Sequence, residues 1–83
     1  MSGQVEARVR PGAMLWFDDS KFSIAEKVER ARAFYEQKYG KKATRCRVHP
    51  TTLAGETCPD YVGAVRMLID VRVLPQHLWI GAD

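Results

Sequence analysis

Residues 24–39 carry an apolar stripe at helical spacing: Ile24, Val28, Ala31, Tyr35 and Tyr39, with Phe34 on its flank. Glu26, Glu29, Arg30, Ala33, Glu36 and Gln37 fall on the opposite side. This pattern predicts an amphipathic helix that buries one face against something else. Both ends are marked. Ser23 is an N-cap residue whose hydroxyl accepts from a first-turn N–H. Glu26, three residues on, completes a capping box. Gly40 supplies a left-handed stop, so the predicted helix spans about 23–39. Glu26 and Arg30 stand at i,i+4 in the favourable order, a pair worth ~0.3 kcal/mol. Lys41 and Lys42 follow, where positive charge suits the helix C-terminus.

The rest of the chain alternates with a period of two, as strands do. Val5, Ala7 and Val9 alternate with Glu6, Arg8 and Arg10. Pro11-Gly12 is a type II turn signal, not the turn a tight hairpin prefers. Residues 14–17 read as a second strand, ending at Asp18-Asp19-Ser20, which are turn formers. After the helix, residues 44–49 place Thr44, Cys46 and Val48 on one face and Arg45, Arg47 and His49 on the other, and Pro50 ends the strand. Residues 51–61 read as a loop with one short helical turn at 52–55. Residues 65–74 predict the longest strand, with Val65, Met67, Ile69, Val71 and Val73 against Arg66, Leu68, Asp70, Arg72 and Leu74. Pro75-Gln76 turns the chain into a last strand at 77–81.

These elements predict an α+β fold: one long helix on one face of a four- or five-stranded mixed, mostly antiparallel sheet. The order is strand, a further strand, helix, then three strands. A strand–helix–strand succession suggests a parallel pair joined by a right-handed crossover, and the last two strands suggest a hairpin. No second helix covers the other face of the sheet.

Composition narrows the class. With 83 residues the chain is a single domain, residues 1–4 being loose. Such a domain buries only about 60–65% of its unfolded surface, and self-association would help it. Hydrophobic residues at 46% and charged residues at 28% fit a globular protein. The net charge of +3 permits an acidic partner without demanding one. No apolar run approaches the ~18 residues of a membrane span, and the first residues lack a signal-peptide core. Cys46 and Cys58 are then expected as reduced thiols in a cytoplasmic chain.

The uncovered sheet face is the expected functional surface. In one reading Leu68, Leu74 and Trp79, joined by Trp16 if its strand faces that way, form an apolar patch that docks a second copy or another protein. In a second reading Arg45, Arg47, Arg66 and Arg72 with Trp79 form a platform for single-stranded nucleic acid. The bland reading is a solvated face, common in antiparallel sheets.

Candidate chemistry is thin. Cys46, His49, Cys58 and His77 are of zinc-ligand type, and a small metal-dependent enzyme using His49, Cys58 or His77 is the third alternative. The spacing disfavours it, because Cys46 and His49 point to opposite faces of an extended strand. Pro59-Asp60 followed by Asp70-Val71-Arg72 is similar to a short pattern of metal-dependent nucleases. Arg72 stands where that pattern has lysine, and arginine is a poor base. No phosphate loop, nucleophile elbow or HExxH motif is present. The expectation is a non-enzymatic binding or assembly module without a cofactor, acting on itself as a homodimer or on another protein, with nucleic acid as the alternative partner and no membrane.

Overall fold

A computed structural model describes residues 6–7 and 13–82 of the chain. The readings of residues 1–5 and of the stretch 8–12, with its Pro11-Gly12 turn, fall outside the described residues. In chain order the elements are β1 (Glu6–Ala7), β2 (Ala13–Phe17), α1 (Ile24–Tyr39), β3 (Arg45–Val48), a 3-10 turn (Pro50–Leu53), β4 (Tyr61–Val62), β5 (Val65–Ile69) and β6 (His77–Gly81). One helix lies on one face of a mixed sheet, as the pattern predicts. The sheet order is β1-β2-β6-β3-β5-β4, and two of these strands, β1 and β4, are only two residues long.

The helix begins and ends where its caps dictate. The Ser23 hydroxyl accepts from the Glu26 N–H at 3.2 Å. Gly40 sits at φ 68°, and its N–H donates to the Glu36 carbonyl at 2.9 Å. The outer face is laced by Arg32, which pairs with Glu29 at 2.6 Å and Glu36 at 2.9 Å. Arg30, expected to pair with Glu26, lies over the Phe22 ring instead, 4.6 Å from its centroid. The inner face buries Ile24, Val28, Ala31 and Tyr35. Between sheet and helix the fully buried side chains are Met14, Val28, Tyr35, Cys46, Val48, Val65, Leu78 and Ile80. The Tyr35 hydroxyl sits inside with its ring and bonds the Ala82 backbone.

Strand neighbours differ from the sequence expectation in two places. Strands β2 and β3, which flank the helix, do run parallel, but β6 lies between them and is antiparallel to both. Strands β5 and β6 form no hairpin, because β3 separates them and pairs with β5 in parallel. The reason lies in burial. Leu78, Ile80, Cys46 and Val48 are wholly inaccessible, so β6 and β3 gain most from the middle of the sheet, under the helix.

The strand predicted for 65–74 stops at Ile69. The Asp70 carboxylate accepts from the Arg72 N–H at 2.9 Å, which closes a turn. The Asp70 N–H still donates to the Val48 carbonyl at 2.8 Å. Alternation therefore ends, and Ile69 and Val71 are exposed and not core. Conversely, β4 arises from the stretch read as loop. Val62 pairs with Val65 across Gly63-Ala64, and Gly63 at φ 59° supplies the positive φ that a type II′ hairpin needs at its first central residue.

Candidate functional site

Strand alternation sorts every sheet residue to the helix side or to the open side. On the open side the cross-strand registers align Leu15, Trp79, Arg47 and Leu68 in one row. A second row runs Gly81, Arg45, Arg66 and Tyr61. Phe17 and His77 form a third pairing, with ring centroids 5.1 Å apart. No helix among the described elements covers this side.

At one end of the face is an open groove of about 540 Å³, lined by Thr44, Arg45, Arg47, Tyr61, Arg66 and Leu68. Three arginines and a tyrosine line it, and no carboxylate does among the described residues. Arg66 and Tyr61 are exposed, while Arg45, Arg47 and Trp79 are half-buried. The Arg47 guanidinium lies over Trp79, 5.3 Å from the ring centroid, and pairs with the Asp70 carboxylate at 3.2 Å. Asp70 is gripped chiefly by Arg72, whose guanidinium donates to both carboxylate oxygens at 3.0 Å. Those bonds, helped by Arg47, hold the Asp70 carboxyl well below the usual carboxylate range. The same partnership raises Arg72.

The expected site residues divide accordingly. Arg45, Arg47, Arg66, Leu68 and Trp79 do share the open face. Trp16 does not: it is 4% exposed and packs on Phe34 of the helix, with ring centroids 5.1 Å apart. All four residues of 14–17 are apolar and so show no alternation to set a parity; the register puts Met14 and Trp16 inward. Leu74 is exposed but lies in the turn after β5, off the sheet. Arg72 leaves the face for the same reason, and its guanidinium is committed to Asp70.

The four zinc-type residues are not brought together. Cys46 faces the helix and is inaccessible, whereas His77 belongs to the open side. His49 caps the 3-10 turn, its Nδ1 accepting from the Thr51 N–H at 3.1 Å. Cys58 packs at the edge of the core. No group of three or more metal-ligating side chains occurs among the described residues. Burial pushes both thiols up, Cys46 furthest. The nuclease-like pattern fares no better. The Asp60 carbonyl accepts from the Met67 N–H, which puts Asp60 roughly three residues, ~10 Å of strand, from Asp70.

Leu15, Phe17 and Tyr61 belong to the surface and were not anticipated. Only Tyr61 left a signal, the glycine at the first central position of Val62-Gly63-Ala64-Val65. Comparison with family models, with curated proteins and with solved structures finds no match. No helix among the described residues is long and apolar enough to cross a membrane.

Proposed function

We propose that the protein is a non-enzymatic binding module that holds single-stranded nucleic acid on the open face of its sheet. The observation that carries this reading is the groove itself: Arg45, Arg47 and Arg66 line it together with Tyr61, and none of the described carboxylates does. Arginines offer paired donors to phosphate oxygens. Tyr61 offers an exposed ring for base stacking, which is worth about 1–3 kcal/mol per base and tolerates any sequence, and Trp79 stands next to the groove beneath Arg47. Both cysteines are free thiols, which suits a cytoplasmic protein.

The test is fluorescence anisotropy with a labelled mixed-sequence single strand, at several salt concentrations. Three phosphate contacts imply a log–log salt slope of about −2. Arg66→Glu should abolish binding at moderate salt, and Tyr61→Ala should weaken it with little change in slope. Absence of binding at low salt, or a response indifferent to both variants, would reject the reading.

One observation favours a second reading. Leu15, Phe17 and Trp79 are half-buried apolar side chains on the adjacent strands β2 and β6, and Leu68 joins the same face from β5 beyond Arg47. They support a homodimer, or docking of another protein, through this surface. Light scattering at two protein concentrations separates the readings. A Trp79→Glu-sensitive species of twice 9.4 kDa supports self-association; a monomer at both concentrations removes it.

A further inference from the structure

Arg47 lines the basic groove and is held on two sides. Its guanidinium lies over Trp79, 5.3 Å from the ring centroid. Its Nη1 donates to the Asp70 carboxylate at 3.2 Å. Nε and Nη2 form no hydrogen bond with any described residue, so most of the five guanidinium donors stay open to a ligand. Arginine is among the side chains that lose most rotamer freedom when they are fixed. Arg47 has given up part of that freedom before any ligand arrives.

Asp70 does not line the groove, so it can reach a ligand there only through Arg47. It is itself fixed by Arg72. Its Oδ1 accepts from the Arg72 N–H at 2.9 Å and from Nε at 3.0 Å, and its Oδ2 accepts from Nη2 at 3.0 Å. The Asp70 side chain is 11% exposed and that of Arg72 is 82% exposed. The carboxylate is therefore a stationary acceptor whose charge Arg72 already offsets. It can hold Arg47 in place without competing strongly with a phosphate for it.

We propose that Asp70 is a positioning residue for nucleic-acid binding: it fixes the Arg47 guanidinium over Trp79, so that the remaining donors meet a phosphate without first being ordered. This role rests on the reading of the groove as a single-strand site. It has a sign that charge alone does not give. Removing a carboxylate beside a site for a polyanion should tighten binding by charge alone. Removing a positioning carboxylate should weaken it.

The experiment is fluorescence anisotropy of the whole chain with a labelled mixed-sequence single strand at low salt. Asp70→Asn keeps an oxygen to accept from the Arg72 N–H, which preserves the turn, and sets an amide donor against the Arg47 guanidinium. It should weaken binding about fivefold, the effect of having to immobilise one rotamer-rich side chain on association. In an Arg47→Ala background the same substitution should bring no loss, because the residue it acts through is gone. A loss of similar size in both backgrounds would assign Asp70 to the turn alone and overturn the proposal. Unchanged or tighter binding by Asp70→Asn in the native background also overturns it, and leaves the single-strand reading standing. Should Arg47→Ala bind too weakly to measure, the sign of the Asp70→Asn effect in the native background decides alone. A native chain that binds no strand at low salt rejects the reading of the groove, and this role with it.

Discussion

Arg47 and Trp79 are direct cross-strand partners on β3 and β6, and the guanidinium of one covers the ring of the other at 5.3 Å. The contact puts a cation and an aromatic plane side by side at the rim of the basic groove. Such a pair is worth about 0.5–1 kcal/mol where it is partly exposed. Arg47→Ala should therefore cost little stability while uncovering the ring. In a Trp16→Phe background, acrylamide quenching of the remaining tryptophan should rise on this substitution. Unchanged quenching would mean that the guanidinium does not shield the ring.

Asp70 joins Arg47 to Arg72, and its carboxyl is held below its ordinary value of 3.8. A carboxylate with a depressed folded pKa stabilises the fold above its unfolded value, and that contribution is lost as pH falls through the folded value. Urea unfolding of the native protein and of Asp70→Asn should differ at pH 7, and the gap should begin to narrow below about pH 4 and close only below the depressed folded value. A gap that is constant with pH would assign the effect of Asn to packing and not to charge.

Trp16 is core, yet its Nε1 has no hydrogen-bond partner among the described residues. An orphaned buried donor costs about 1–3 kcal/mol. Trp16→Phe removes it while keeping most of the ring, so its stability should lie within about 1.5 kcal/mol of the native protein. Trp16→Ala leaves a cavity beside Phe34 and should cost about 3–5 kcal/mol. Equal losses for both variants would show that the N–H carries no penalty.

The helix ends make a paired prediction. Ser23→Ala removes the acceptor for the Glu26 N–H and should cost about 1 kcal/mol. Gly40→Ala should cost about as much, because φ 68° is unfavourable for a residue with a Cβ. At an ordinary helical position glycine to alanine would stabilise instead, so the sign of that change reports the left-handed stop.

Burial raises both thiols, so neither is a thiolate at neutral pH. In the native protein, disulfide-exchange reagents should label Cys58 slowly and Cys46 only as the chain unfolds. In denaturant both should react at once. Prompt labelling of Cys46 would contradict its place beneath the helix.

How much of this was legible depends on which physics each element obeys. The helix was readable end to end, because its caps, stop and apolar stripe are local: Ser23, Gly40 and the Ile24-to-Tyr39 spacing need no knowledge of the partner. So was the sorting of β3, where Cys46 and Val48 alternate with Arg45 and Arg47 in a run too polar to be ambiguous. The sequence also determined that a mixed sheet would carry one helix and leave a face uncovered.

Tertiary structure decided the rest. Residues 14–17 are all apolar, so only pairing with β6 could turn Trp16 inward and Leu15 and Phe17 outward. Residues 65–74 alternate throughout, and only the Asp70 turn, fixed by Arg72, shows where the strand ends and why Leu74 leaves the face. The basic groove exists because β3 and β5 lie side by side in parallel, with β4 folded back along β5. That brings Arg45, Arg66 and Tyr61, from three separate segments, into one row. Lys27 followed the same rule. On the sequence it is one more lysine on a charged helix, and only tertiary packing leaves it 5% exposed. Local patterns fix what a segment can be; which segments become neighbours depends on how much surface each buries in the whole.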